Sequence, residues 1–517
     1  MSRWLAILSL SLAGCAVFEP AHEPLCTAHG WVGPVWIPVN ADFEEYAAAL
    51  ALADAAEQVT GTRPDVREEG GAGETSVGIF IGRTTAAARD GVVAPKGDGD
   101  TAVRRTVGNR LHVVGNSPVA TRIAVGRLCE QALGITFVMP GPDGMDYVPL
   151  DRVDWPDDES WRPAFAWRAI SGTEDAESIE WARRVGFGNR PDCTHGLHEV
   201  FTPELYARRP ELFARVAGVP RAPTQAGRSA QPNLAHPDAA GLAAAHLRDA
   251  FRANPSALAV PLGINDSLVY DDGAAAVTTF DGRPDRSDYV FGFLNRVAAL
   301  DWNPGGDHAI GCLAYLDAYR APSFPVSPDI FPAICADRIQ YANPAFAELD
   351  VANLAAWGGS GARRIGTWDY LFGRDVVIPR WHLAAQTRAF EAERAAGVCS
   401  WFAELDPLWA YDAPKAWVAA KLADDAAADA EALARRWAGA AYGPAAPAML
   451  RLQRRIEQVW VGVAGRRAPG QWLIGWRDGC SADELLAPAL ETDAAADLAE
   501  AQLALENAPR DARHDRM

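Results

Sequence analysis

Lysine is nearly missing from this chain. Of 517 residues only Lys96, Lys415 and Lys421 are lysines, so arginine supplies almost all the positive charge. The total falls short of the acids: 48 Lys and Arg stand against 67 Asp and Glu, a formal charge of −19. A surface this acidic repels a phosphate backbone, and no nucleic-acid partner is expected. None of the eight cysteines forms a C-x-x-C pair, which removes zinc ribbons and thioredoxin-like motifs. A P-loop and a dinucleotide-type glycine loop are also missing, so no cofactor is expected. The leading apolar run, Trp4 to Leu12, is too short to span a bilayer.

What remains is an ordinary globular composition, 49% hydrophobic and 22% charged, long enough for two to four domains with sizeable cores. Residues 1–15, MSRWLAILSLSLAGC, read as a lipoprotein signal peptide: Arg3 opens it, an apolar run follows, and Leu12-Ala13-Gly14-Cys15 resembles a lipobox. Lipidation of Cys15 would anchor the protein to a membrane outside the cytoplasm. Ala16 after the cysteine points to the outer membrane of a two-membrane bacterium. Residues 16–34 are then a linker.

Strand and helix alternate from 35 to 150, with a helix over Asp42 to Thr60, strands at Val77 to Gly82 and Arg110 to Gly115, a helix from Pro118 to Leu133, and a closing strand at Ile135 to Met139. A Trp- and Pro-rich stretch, Val153 to Pro163, marks a boundary. Beyond it, residues 163–412 keep the rhythm of a (β/α)8 TIM barrel, with strands near Ala164–Ser171, Val185–Asn189, Pro232–Ala235, Ala257–Asp266, His308–Tyr315, Ile330–Ala336, Arg364–Tyr370 and Val398–Glu404. Residues 413–506 are Ala-rich and helical, and 507–517 form a charged tail expected to be disordered. The fold class is therefore α/β: a small N-terminal α/β domain, a barrel and a C-terminal helical region.

Barrel chemistry sits at the carboxyl ends of the strands. Those ends here carry Asn265-Asp266, Tyr315, Trp368-Asp369-Tyr370 and Trp401 followed by Glu404. Carboxylates beside tryptophans suit glycoside chemistry, in which one acid protonates a leaving oxygen and another supports a cationic sugar, while aromatic faces bind the ring. Asp266, Asp369 and Glu404 are the catalytic candidates; the alternative for each is a helix cap or an ion pair with arginine. His195 and His198, in HGLHE, are spaced as metal ligands, but Gly196 between them argues for a loop, so no metal is expected and sugar hydroxyls are the better partner. Arg168, Arg374 and Arg380 could pair with an anionic sugar.

Three segments, RLHVVGNSPVATRIAVGRLCEQALGITFVMPG, HGLHEVFTPELYARRPELFARVAG and GTWDYLF with the later YGPAA, resemble the bacterial domain-of-unknown-function family 4838, over roughly Val35 to Leu450. That family looks like an exo-acting glycoside hydrolase, similar to family-20 hexosaminidases and family-67 α-glucuronidases. The resemblance implies Asp266 as general acid, where hexosaminidases carry the second member of an Asp-Glu pair. The first member is Asn265 here, which cannot charge-support an acetamido nucleophile. Trp401 to Glu404 resembles a hexosaminidase Trp-x-Glu segment that binds sugar hydroxyls, which leaves Asp369 as an alternative second carboxylate. Two rivals remain: a non-catalytic carbohydrate-binding lipoprotein on the same scaffold, and a structural envelope protein whose strand-end acids are all tied into ion pairs.

Overall fold

The computed structural model describes residues 23–508 except 71–76, 225, 275, 277, 281–282, 304–305, 373–377, 426, 470–484 and 487–492. Cys15, the signal peptide, Arg374, Cys480 and nearly all of the 507–517 tail lie outside the described residues.

The N-terminal sheet has six strands, β1 (Val35–Ile37), β2 (Val66–Glu68), β3 (Gly78–Ile81), β4 (Ala102–Val107), β5 (Arg110–Gly115) and β6 (Glu159–Trp161). They lie in the order β6-β4-β5-β3-β1-β2. Helix α1 (Phe43–Thr60) begins where Asp42 and Glu45 form a reciprocal capping box and stops at Gly61, whose φ of 72° suits glycine. It packs with α2 (Pro118–Ala132) against the parallel part of the sheet. Two expectations need correction. The strand at Ile135 to Met139 does not close the sheet: Thr136–Phe137 pairs with Met145–Asp146 in a separate ribbon. The Trp-rich boundary stretch supplies the edge strand β6, paired antiparallel to β4. The supposed linker is partly folded as well, since Cys26 and Val153 exchange backbone hydrogen bonds of 3.1 and 3.0 Å.

The second sheet is wholly parallel and curled: β7 (Trp167–Ile170), β8 (Ala259–Pro261), β9 (Ala309–Ala314), β10 (Ile330–Cys335), β11 (Gly366–Tyr370) and β12 (Ser400–Glu404), ordered β7-β12-β11-β10-β9-β8. Its helices are α3 (Ala176–Val185), α4 (Ala239–Ala253), α5 (Ser287–Ala298), α6 (Pro344–Gly358), α7 (Leu383–Ala395) and α8 (Trp409–Asp424). Among the described residues six of the eight expected strands are present, and they do not make a complete eight-stranded ring. Val185–Asn189 and Pro232–Ala235 form no strand among the described residues.

Local chemistry explains both departures. The chain from Gly186 to Gly196 contains Pro191, which has no N–H to give a ladder. Its backbone bonds to the two flanking strand regions are few: Gly188 donates to the Arg168 carbonyl at 2.8 Å, Gly263 to the Thr194 carbonyl at 3.2 Å, and Gly196 to the Gly263 carbonyl at 3.0 Å. It fits closely because Gly263 has no Cβ; one there would overlap the Thr194 carbonyl. Further on, Asn233 accepts from Ala235 N at 3.2 Å, which bends Pro232–Ala235 into a turn. An irregular chain thus spans the gap between β7 and β8.

The helical region continues with α9 (Ala430–Tyr442), α10 (Ala446–Gly465) and α11 (Ala494–Asn507). The Ala-rich helical stretch that opens this region is interrupted between α8 and α9, where Asp429 turns from the preceding loop to cap α9. Helix α8 belongs to both sheets: Lys421 reaches both oxygens of Glu130 on α2 at 2.8 Å, and Asp424 pairs with Arg127. At that junction Arg168 on β7 is fully buried, donates to Phe165 and Gly186 carbonyls at 2.9 Å, and lies 3.5 Å from Asp100. Burial pushes the Asp100 carboxyl up and the neighbouring Arg168 charge pulls it down. Replacing the guanidinium would strand that carboxyl. Arg168→Met is expected to lower stability by about 3 kcal/mol in urea unfolding; an unchanged midpoint would remove Arg168 as a tie between the sheets.

Candidate functional site

Strand pleat decides which residues can meet. Along β11, Trp368 and Tyr370 face the inside of the curl, whereas Thr367 and Asp369 face the helices. On β12, Phe402 and Glu404 face inward and Trp401 and Ala403 outward. The parallel register sets Trp368 opposite Phe402 and Tyr370 opposite Glu404. The inward residues Leu313, Phe331, Ala333 and Cys335 make a small apolar cluster distinct from the main core.

Above that cluster, at the carboxyl ends of the strands, is a pocket of about 290 Å³. Its walls are Leu313, Tyr315, Cys335, Trp368, Tyr370 and Glu404 from β9 to β12, with Phe372 just beyond β11. His195, Asp266 and the loop residues Ala226, Gly227 and Arg228 complete it. Asp266 is exposed at the mouth and Glu404 sits deeper. Each carboxylate accepts one aromatic donor: Tyr315 Oη donates to Asp266 Oδ1 at 3.0 Å, and Trp368 Nε1 to Glu404 Oε1 at 2.8 Å. Burial, then the Asp266 charge and more weakly that of Glu404, push the Tyr315 phenol far above its ordinary range, so it remains a donor.

The His195 Nδ1 lies on the Ile264 carbonyl, an acceptor only, so Nδ1 carries the hydrogen and Nε2 is the acceptor of the neutral ring. The ring stands edge-on to Tyr315, with centroids 6.0 Å apart. Asp266 is fixed through its backbone, donating to the Gly227 carbonyl at 2.6 Å. Its neighbour Asn265 is buried and braced by Gln231, whose Oε1 accepts from Asn265 N at 2.9 Å and whose Nε2 donates to Asn265 O at 2.7 Å. Asn265 thus lies beneath the pocket and positions Asp266.

Of the residues singled out from sequence, the pocket brings together Asp266, Glu404, His195, Tyr315, Trp368 and Tyr370. The others lie elsewhere. Asp369, expected as a catalytic acid, is buried behind β11 and accepts from Arg338 N at 2.9 Å and Tyr370 N at 2.8 Å. Trp401 packs in the outer core against Phe390, ring centroids 5.2 Å apart. Arg168 belongs to the sheet junction, and Arg380 is buried against Asp337 at 2.7 Å. His198 lies under the loop beside Gly227 and does not line the pocket.

Two arginines escaped sequence reasoning. Arg228 is on the long loop before β8, where no periodicity marks it. Arg190 lies on the irregular chain, its guanidinium 4.6 Å from the Trp368 ring centre and 3.9 Å from that of Phe402. A proline-interrupted arginine between two strand signals was the only hint of it.

The family model for a domain of unknown function, DUF4838, matches residues 139–453. The chain belongs to this family. The match begins in the loop of the Thr136–Phe137 ribbon, so most of the N-terminal sheet precedes it, and of the resemblance expected over Val35 to Leu450 the family model covers the part from residue 139. No curated protein sequence matches this DUF4838 chain. Several solved structures do. A GH115 4-O-methyl-α-glucuronidase with specificity for decorated arabinogalactans matches with TM-score 0.48 and 13% identity, over 85% of this chain and 62% of that one. This chain therefore spans less than two thirds of that enzyme's length. The GH20 β-N-acetylhexosaminidase from Streptomyces coelicolor A3(2) matches with TM-score 0.41 and 14% identity, over 87% and 97% of the two chains. A GH138 enzyme targeting pectin rhamnogalacturonan II matches with TM-score 0.34 and 11% identity, over 84% and 70%.

Behind the pocket, Asp369 joins a buried charge cluster with a proton of its own. Arg338 is the ion partner of Asp350 at 3.0 Å and Glu393 at 3.5 Å, and all three are fully buried. One guanidinium cannot neutralise three dry carboxyls. Burial lifts Glu393 to about 8 and Asp369 to about 6. Both exceed unfolded values near ~4, so the folded state holds protons that the unfolded chain releases, and stability falls as pH rises from about 4.5 to 8. Urea midpoints of the native protein should decline across that range. Glu393→Gln, neutral throughout, should flatten the upper part of the decline; parallel curves would show that Glu393 is ionised in the fold.

Proposed function

We propose that this protein is an exo-acting glycoside hydrolase that binds the end of a polysaccharide or oligosaccharide. The observation that carries the reading is that Asp266 and Glu404, from strand ends far apart in sequence, line one pocket with Trp368 and Tyr370. Two carboxyl groups flanking an aromatic sugar-sized site are what glycosidic cleavage needs. Asp266, at the mouth where a leaving group would exit, gives its proton to the glycosidic oxygen as the C1–O bond breaks. Glu404, deeper and oriented by the Trp368 indole, faces the positive charge that develops on the ring. A water from solvent completes the reaction, its oxygen bonding to C1 and its released proton going back to the carboxyl pair. Tyr315 orients Asp266, and His195 Nε2 accepts from a sugar hydroxyl. The pocket lies at the carboxyl edge of the curled parallel sheet, as it would in a (β/α)8 barrel, and we assign the domain to that class with its second and third strands replaced by irregular chain. We also propose that the protein is tethered by lipid on Cys15, outside the cytoplasm and at the outer membrane, where such glycans are met; this rests on the sequence of residues 1–15.

The test is release of aryl alcohol from a panel of aryl glycosides of both anomeric configurations. Asp266→Asn and Glu404→Gln should each reduce kcat/KM by roughly 10²–10⁴-fold. Full turnover in both variants would overturn the assignment. Sugar binding without turnover by the native protein would favour the non-catalytic carbohydrate-binding alternative.

A further inference from the structure

We infer that the sugar taken by this pocket is negatively charged, bearing a carboxylate or a sulfate, and that Arg228 recognises it; the inference rests on the glycosidase reading of the same pocket.

Arg228 is exposed at the pocket mouth and has no ion pair or hydrogen bond among the described residues. Arg209 is engaged with Glu211 and Asp238, both at 2.7 Å, and Arg286 with Asp317. Arg215 and Arg221 are exposed without an ion pair among the described residues, but neither lines the pocket, as Arg228 does. Arg168 and Arg380, the described arginines that the sequence suggested for an anion, are committed to Asp100 and Asp337.

The Arg228 backbone is not loosely placed. Its neighbour Gly227 accepts from Asp266 N at 2.6 Å, and Ser229, buried on the other side, accepts from Thr224 N at 2.8 Å. The guanidinium therefore projects from a braced turn beside one of the two pocket acids.

The arginine beneath the aromatic wall is differently placed: Arg190, pressed on Trp368 and Phe402, has the Asp192 and Glu404 charges acting on it. An anion on the sugar supplies such a partner for Arg228, and the guanidinium fork fits either a carboxylate or a sulfate by two parallel hydrogen bonds.

The test is isothermal titration calorimetry of the full chain with D-glucuronate, D-galacturonate and D-galactose 6-sulfate against D-glucose and D-galactose, in low salt and in about 0.5 M NaCl. The native protein should bind at least one acidic sugar about tenfold more tightly than its neutral counterpart, with the preference reduced by salt. Whether uronate or sulfate is preferred identifies the anion. Arg228→Gln should bring the acidic-to-neutral ratio close to one, and Arg228→Lys should keep part of it. Neutral sugars bound as tightly as acidic ones, or a preference that survives Arg228→Gln, would overturn the inference and leave the glycosidase reading standing. No binding of any of these sugars would overturn both.

Discussion

The alternation of side chains along the parallel strands is the constraint on which the site depends. Two rungs, Trp368 beside Phe402 and Tyr370 beside Glu404, turn one set of residues to the pocket and send the next set, Asp369 and Trp401, into the layer of helices. A slip of one residue would exchange them, burying Glu404 behind the sheet and bringing Asp369 into the pocket. The outer layer holds the register by bulk, with Trp401 packed on Phe390 and Phe187, and by charge, with Asp369 accepting two backbone N–H groups. The aromatic and acidic residues that look alike in sequence thus have unlike tasks, set by parity alone.

The second ingredient is irregular chain. Where two strands of a barrel would stand, the Gly186–Gly196 segment crosses the gap and delivers Arg190 under the aromatic wall and His195 to the rim. The loop ending at Gln231 does the same for Arg228, and Gln231 ties it back to Asn265 and so to Asp266. Rigid strands supply the floor and the deep carboxylate, while loops supply the mouth. This is the usual division between scaffold and function in such folds, here with unusually close bracing between the two.

Much of this was legible in the sequence. Long apolar strands such as Ala309–Ala314 and Ile330–Cys335 announce themselves, and their polar ends mark the pocket edge, which is why Asp266, Tyr315, Trp368, Tyr370 and Glu404 could be named in advance. Asp369 and Trp401 depart from expectation because adjacent residues on a strand cannot share a face: Asp369 lies between the inward Trp368 and Tyr370, and Trp401 an odd number of positions from Glu404. The eight-strand count failed where proline and asparagine chemistry governs, at Pro191 and Asn233, since backbone hydrogen bonding there is decided by neighbours remote in sequence. Arg190 and Arg228 had no periodic context at all. Arg168 looked like a ligand for an anion because its partner, Asp100, lies in the other sheet.

If Asp266 and Glu404 attend one bound sugar, a crystal structure of the Asp266→Asn protein soaked with concentrated acidic and neutral monosaccharides will show it. A pyranose ring is expected against Trp368 and Tyr370, with position 266 and Glu404 both within hydrogen-bond reach of it. A sugar bound elsewhere on the protein, with this pocket empty, would contradict that expectation.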